Sequence, residues 1–204
     1  MLTFDASDRT YRVGPLAFEL GLAAFPETLS HVRWQGAVEA VARRTRLTSY
    51  LMVRSESEAV CLLCTQGATA IRAMPMEVGQ RIPLGIGAGG LVILAALDDD
   101  EIRAIVRLHE MRYRLFPVGM RGEAEVMARV AQTREDGFSV STGTVADGVT
   151  GVGVMVPRGM SASPSAITVS AVADSFSAHE ARRIASTIFD ILADPASNMS
   201  SAVL

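Results

Sequence analysis

Few residues of this 204-residue chain are placed to do chemistry, and the most informative are in the run Arg81-Ile-Pro-Leu-Gly-Ile-Gly-Ala-Gly-Gly-Leu-Val-Ile-Leu-Ala95. A short extended piece stopped by Pro83 leads into glycines at 85, 87, 89 and 90. An apolar stretch follows, with no breaker before Asp98. Glycine lets backbone come close to a bound group, and the first amides of a helix have no partner inside it. A loop of this kind opening a helix is a cradle for a small anion such as a carboxylate. Glycine serves close packing of a helix on a sheet equally well, and the sequence leaves both readings open.

Other reactive side chains are sparse. Cys61 and Cys64 sit in the strand-like run Ala59–Thr65. Three apart on a strand, they would face opposite ways with α-carbons roughly 10 Å apart, whereas a disulfide needs about 7 Å or less. They therefore read as buried free thiols, with no neighbouring His or Arg in sequence to activate them. His31, His109 and His179 stand far apart and in no ligand spacing, so no zinc set forms. There is no Ser/His/Asp set and no P-loop. The chain reads as a non-enzyme that needs no cofactor and no metal.

Composition bounds the rest. With 49% hydrophobic residues the chain can bury a proper core, and its length suits one domain with an appendage. A net charge of −3 argues against a nucleic-acid surface on this chain itself. No apolar run reaches the ~18 residues of a membrane span, and the N-terminus lacks a signal-peptide pattern. A cytoplasmic location is expected. All 19 basic residues are arginine, which we read as genome composition rather than chemistry, because they are scattered instead of clustered.

The elements that must position the glycine loop follow from periodicity. Residues 1–14 read as two extended pieces around the turn Asp5-Ala-Ser-Asp8, and Gly14-Pro15 marks a break. Apolar spacing predicts a helix from Leu16 to Ala24 and, past Pro26, a longer one from Glu27 to Arg46. Strands are expected at Ser49–Arg54, Ala59–Thr65 and Thr69–Met74, then the loop and its helix to Leu97. Further helices run from Glu101 to Leu115 and from Gly122 to Glu135. The last third offers strands at Phe138–Ser141, Thr150–Pro157 and Ala166–Val172. A closing helix spans Ala178–Ala193, with Ser177 as N-cap and Glu180 at the third position. This order predicts an α+β fold with a mostly antiparallel central sheet flanked by helices.

Three stretches, in order, resemble the effector-binding region of IclR-family bacterial transcription regulators. Asp8-Arg-Thr-Tyr-Arg-Val-Gly-Pro15, with Leu16 to Gly21 behind it, is similar to the passage from the winged-helix wing into the linker helix. Gly79-Gln-Arg-Ile-Pro-Leu84 and the glycine loop resemble the family's Pro-Leu-His-x-(Ser/Thr)-x-x-Gly-Lys. Asp136-Gly-Phe-Ser-Val140, with Asp147-Gly-Val149 and Ala166–Ser170, supplies the third. The resemblance implies a GAF-like domain that binds a small metabolite. Residues 1–26 would be a wing remnant plus linker helix, 27–194 the effector-binding domain and 195–204 a flexible tail. The recognition helix is absent from this sequence, so contact with DNA is expected only through a winged-helix domain outside it, and trimming from a longer regulator is the expected reason.

The resemblance also implies a site. The ligand-binding positions carried onto this chain are Ile71, Met74, Ala88, Gly89, Ser141, Val149, Gly151, Thr168 and Ser170. Ala88 and Gly89 would offer amides to a carboxylate, while Ser141, Thr168 and Ser170 would supply hydroxyls. Ile71, Met74 and Val149 would form an apolar wall. Thr168 and Ser170, two apart on a strand, share one face. The family's loop His and Lys are Gly85 and Leu91 here, and Ser141 and Gly151 replace an acidic and a larger residue. These departures predict a roomier, less charged pocket, suited to a larger and partly apolar acid, aromatic ones included, rather than to a two- or three-carbon oxoacid. Self-association as a homodimer or tetramer is expected. The alternatives are a ligand-free dimerisation module and a GAF-like thiol enzyme.

Overall fold

The computed structural model describes residues 2–23, 25–69, 76–117, 122–158, 160–161, 163–172 and 177–194. The expected third strand, and with it Ile71 and Met74, lies outside the described residues. The rest of the order holds. Strands β1 (Leu2–Asp5) and β2 (Thr10–Val13) form a two-stranded ribbon, followed by α1 (Pro15–Ala23) and α2 (Phe25–Thr45). Proline 26 falls in the first turn of α2, where its missing N–H has no helical acceptor to lose.

The domain is built on β3 (Thr48–Ser55), β4 (Glu58–Thr65), β5 (Arg81–Pro83), β6 (Ser139–Thr142), β7 (Val149–Met155) and β8 (Ser165–Val172). They pair antiparallel in the order β5-β4-β3-β8-β7-β6. The helices α3 (Gly87–Ala95), α4 (Asp99–Tyr113) and α5 (Glu123–Asp136) lie in the crossover between β5 and β6, and α6 (Ala178–Ala193) closes the chain. Side-chain caps set two of their starts. Asp98 accepts the Glu101 amide at 2.9 Å, and Ser177 accepts that of Glu180 at 3.2 Å, the second as the sequence pattern predicts. Gly137, at φ +76°, ends α5 in the left-handed region.

Strand alternation sorts the sheet into two faces. Leu51, Val152, Val154, Ile167 and Val169 pack against Trp34, Val38 and Val41 of α2 and Ile184 and Ile188 of α6. The opposite face takes Tyr50, Met52 and Ala166 against Leu91–Ala95 of α3, with Ile102 and Val106 of α4 and Val126 and Val130 of α5 behind. Helix α3 is buried along its whole length, which accounts for its having no polar side chain.

One expectation fails here for a local reason. Leu51 pairs with Leu63 but Met52 pairs with Cys61, so Leu62 is the extra residue of a β-bulge. The bulge resets the alternation, and Cys61 and Cys64 share the face of Tyr50 and Met52 instead of pointing apart. Both remain free, and burial pushes the Cys61 thiol up to about 12.

Candidate functional site

Register places the polar residues of the α3 face in rows. Ser141, Gly151, Ser170 and Thr48 are successive cross-strand partners on β6, β7, β8 and β3. Ser139, Gly153, Thr168 and Tyr50 form the next row. Cross-strand partners point the same way, so a patch of hydroxyls interrupted by glycines faces the start of α3.

Between this patch and α3 lies a cavity of about 50 Å³. Ala88 and Gly89 reach it from the helix, Ser141, Val149 and Gly151 from β6 and β7, and Thr168 and Ser170 from β8. The sequence-derived site residues that lie within the described part are thus brought to one place. Tyr50, Met52 and Val169 join the lining from the central strands, Met76 and Ile82 from around β5, and Gly87, Thr144 and Val145 from loops. Of these only Gly87, as part of the glycine loop, was singled out from sequence. Tyr50 carried only a weak signal, since a Tyr hydroxyl buried on a central strand needs a polar partner.

Backbone conformation explains the loop. Gly85 and Gly87 hold φ of +95° and +66°, which side-chain-bearing residues rarely adopt. The Ile86 amide donates to the Pro83 carbonyl at 3.2 Å, and the Gly87 amide donates to Thr144 Oγ1 at 3.1 Å. Thr144 Oγ1 is in turn in a short hydrogen bond with Ser141 Oγ. Among the described residues no acceptor serves the amides of Ala88 and Gly89. Two donors at the positive end of a buried helix therefore face a cavity whose described lining holds no Asp, Glu, Lys, Arg or His. Tyr50 is the one acid in that lining; its hydroxyl lies 3.3 Å from Ser170 Oγ, and burial raises its pKa, so it stays neutral and can donate.

The two readings of the glycines both apply, at different positions. A Cβ on Gly89 would stand 2.6 Å from Met52 Cγ, and one on Gly153 would stand 2.8 Å from the Ala88 carbonyl oxygen. These glycines let α3 lie directly on the sheet. Gly151 is similar: its Cβ would come within 3.3 Å of Ala88 Cβ. The volume released at 151 is therefore taken up by the helix rather than added to the cavity. The described lining is poor in charge, and about 50 Å³ holds only a few water molecules.

Comparison with known proteins gives one consistent result. Residues 31–200 match the family described as bacterial transcriptional regulator IclR, C-terminal. The HTH-type transcriptional regulator XynR of Escherichia coli (strain K12) is 29% identical over 147 residues, covering 72% of this chain and 57% of XynR. The chain thus spans little more than half the length of that curated relative. Among solved structures, an IclR-type regulator from Alicyclobacillus acidocaldarius superposes with a TM-score of 0.78 at 21% identity, over 98% of this chain and 79% of that one. The Thermotoga maritima IclR gives 0.75 at 18%, over 93% and 75%, and the Agobacterium tumefaciens repressor BlcR 0.67 at 20%, over 98% and 79%. At these identities the structural likeness speaks to the fold.

Proposed function

The chain belongs to the IclR family of bacterial transcriptional regulators, of which it carries the C-terminal domain, and from that premise we propose that it senses a small carboxylic acid in the cavity below α3. The observation that carries this reading is the pair of first-turn amides, Ala88 and Gly89, which have no acceptor among the described residues and face a cavity whose described lining carries no charged side chain. Backbone N–H groups at a helix start can hold a carboxylate without a cation. Hydroxyls of Ser141, Thr144, Thr168, Ser170 and Tyr50 would take its remaining oxygens, and Met52, Val145 and Val149 its carbon skeleton. The volume favours a compact acid of a few carbons. A larger, partly apolar acid, aromatic ones included, as the sequence alone favoured, would require the walls to move.

The sensing would serve a DNA-binding partner domain. Residues 1–26 are read as wing remnant and linker helix, 27–194 as the sensor and 195–204 as a tail. Leu2, Phe4, Tyr11 and Val13 share one face of the N-terminal ribbon by register, and all four are exposed, as suits a ribbon meant to pack against another domain. Dimers or tetramers would present the DNA-binding heads in the cytoplasm, and effector occupancy would bias their spacing. Among the described residues no helix is long and apolar enough to cross a membrane, and no group of three or more metal-binding side chains forms. A thiol enzyme is disfavoured, because burial raises both cysteine pKa values and leaves the thiols protonated.

A thermal-shift screen of this chain against acids from formate and glyoxylate to benzoate tests the reading, with NMR to detect turnover. Selective stabilisation by a compact acid, unchanged after incubation, is the expected result. A flat response would leave the ligand-free dimerisation module as the better account, and turnover would make the chain an enzyme.

A further inference from the structure

The loop that presents the α3 amides is held from outside the cavity by α4. Leu84, at the head of that loop, is engaged on both backbone groups. Its amide donates to the Ser57 carbonyl at 3.1 Å, and its own carbonyl accepts the Tyr113 hydroxyl at 2.7 Å. Ser57 belongs to the β3–β4 turn, and its hydroxyl lies 2.9 Å from Nε2 of His109, one turn before Tyr113 on α4. Tyr113 and His109 are both buried, and their rings stand 6.2 Å apart. The loop itself has little slack. A Cβ on Gly90, in the first turn of α3, would lie 3.3 Å from both the Pro83 oxygen and the Gly85 nitrogen, so loop and helix start touch backbone to backbone. A shift of Leu84 is therefore passed to the amides of Ala88 and Gly89.

Resting on the effector reading above, we propose that Tyr113 is a positioning residue for the acid site, with His109 and Ser57 in support. Helix α4 thereby sets effector affinity without lining the cavity. Thr144 holds the Gly87 amide from the cavity side and Tyr113 holds Leu84 from the other, so the α3 start sits between two clamps. The inner clamp touches the ligand's space and the outer clamp touches α4. By reciprocity, an occupant that tightens the α3 start also tightens α4, and any displacement of α4 weakens the occupant.

Hydrogen exchange on the ligand-free chain tests the clamp. In Tyr113→Phe, which keeps the ring and removes the hydroxyl, the hydrogen-bonded amides of Leu84, Ile86 and Gly87 are expected to exchange about tenfold faster, while those of Val152 and Val169 keep wild-type rates. Pyruvate serves as the affinity probe, and its Kd is expected to rise about tenfold in Tyr113→Phe. Ile188→Ala, a destabilising change in the opposite core, should leave the Kd where it was. If Tyr113→Phe does not fold, Ser57→Ala loosens the same turn through His109 and should give the same pattern more weakly. Unchanged exchange at Leu84, Ile86 and Gly87, a uniform rise across the sheet, or an equal loss of affinity in Ile188→Ala would overturn the proposal. A wild-type chain that ignores pyruvate and the whole acid panel would overturn the effector reading instead, and the exchange pattern would still decide the clamp.

Discussion

The two faces of the central sheet are made by alternate residues of the same strands, yet they are built for different ends. Toward α2 and α6, β7 and β8 present Val152, Val154, Ile167 and Val169, which close on Trp34 and Ile188 as a dry core. Toward α3 the same strands present Gly151, Gly153, Thr168 and Ser170. One face is filled by side chains. The other is cut away so that a helix backbone can reach the sheet, and hydroxyls stand where methyl groups would otherwise pack. The contrast separates stability from recognition: the first face can hold the fold while the second tolerates unpartnered amides and a small void.

Substitutions on either side should expose this division. The largest loss is expected from Ile188→Ala, which empties a fully buried site in the α6 core. Urea denaturation should show about 3–4 kcal/mol of destabilisation, with acid-induced thermal shifts preserved in size. Gly153→Ala should cost about 2 kcal/mol, because the new methyl meets the Ala88 carbonyl, and it should also abolish the response to acids. A Gly153→Ala chain that loses stability but keeps its full ligand shift would break the comparison. Ser141→Ala removes the partner of Thr144 Oγ1 at a cost of about 1 kcal/mol, and calorimetry should show weaker acid binding with little change in melting temperature.

The smallest effect concerns pH. Burial, and then the neighbouring Arg112, lower the His109 pKa below its ordinary 6.5, outweighing Glu58, which raises it. The unfolded chain therefore takes up the proton first, so stability is complete above about 6.5 and falls as pH drops through the folded pKa. Urea midpoints at pH 7.5 and 5.5 should differ in the wild type and converge in His109→Gln. Glu58 acts in a separate, more acidic window. Hydrogen bonds from Arg81 and Arg112 lower its pKa below 4.5, and its contribution is lost only as pH falls through that lowered value.

Much of this division was legible in the sequence. The caps at Asp98 and Ser177, the strand pair around Ser55–Glu58 and the glycine loop carry local signals that tertiary packing did not override. Thr168 and Ser170 were placed on one face by spacing alone. Other features depend on partners distant in sequence. The bulge at Leu62 that turns Cys61 toward Tyr50 shows only in pairing with β3, so strict alternation misplaced it. Tyr50 enters the cavity because β3 pairs with β8, a contact between residues 120 apart. Thr144 was missed because it acts from a loop, with no periodicity to mark it. At Gly151 a missing side chain makes room, but only the fold decides which neighbour moves in, here Ala88 of α3.

The joining of β3 to β8 also sets an order of events during synthesis. The hairpin β3–β4 leaves the ribosome well before β8, and the floor of the cavity needs Thr168 and Ser170, more than a hundred residues further along the chain. Until that strand inserts between β3 and β7, the hydroxyl rows do not exist and the α3 amides have nothing to face. A chain that has not yet made β8 therefore lacks the cavity altogether, and such long-range closure is among the slower steps of folding.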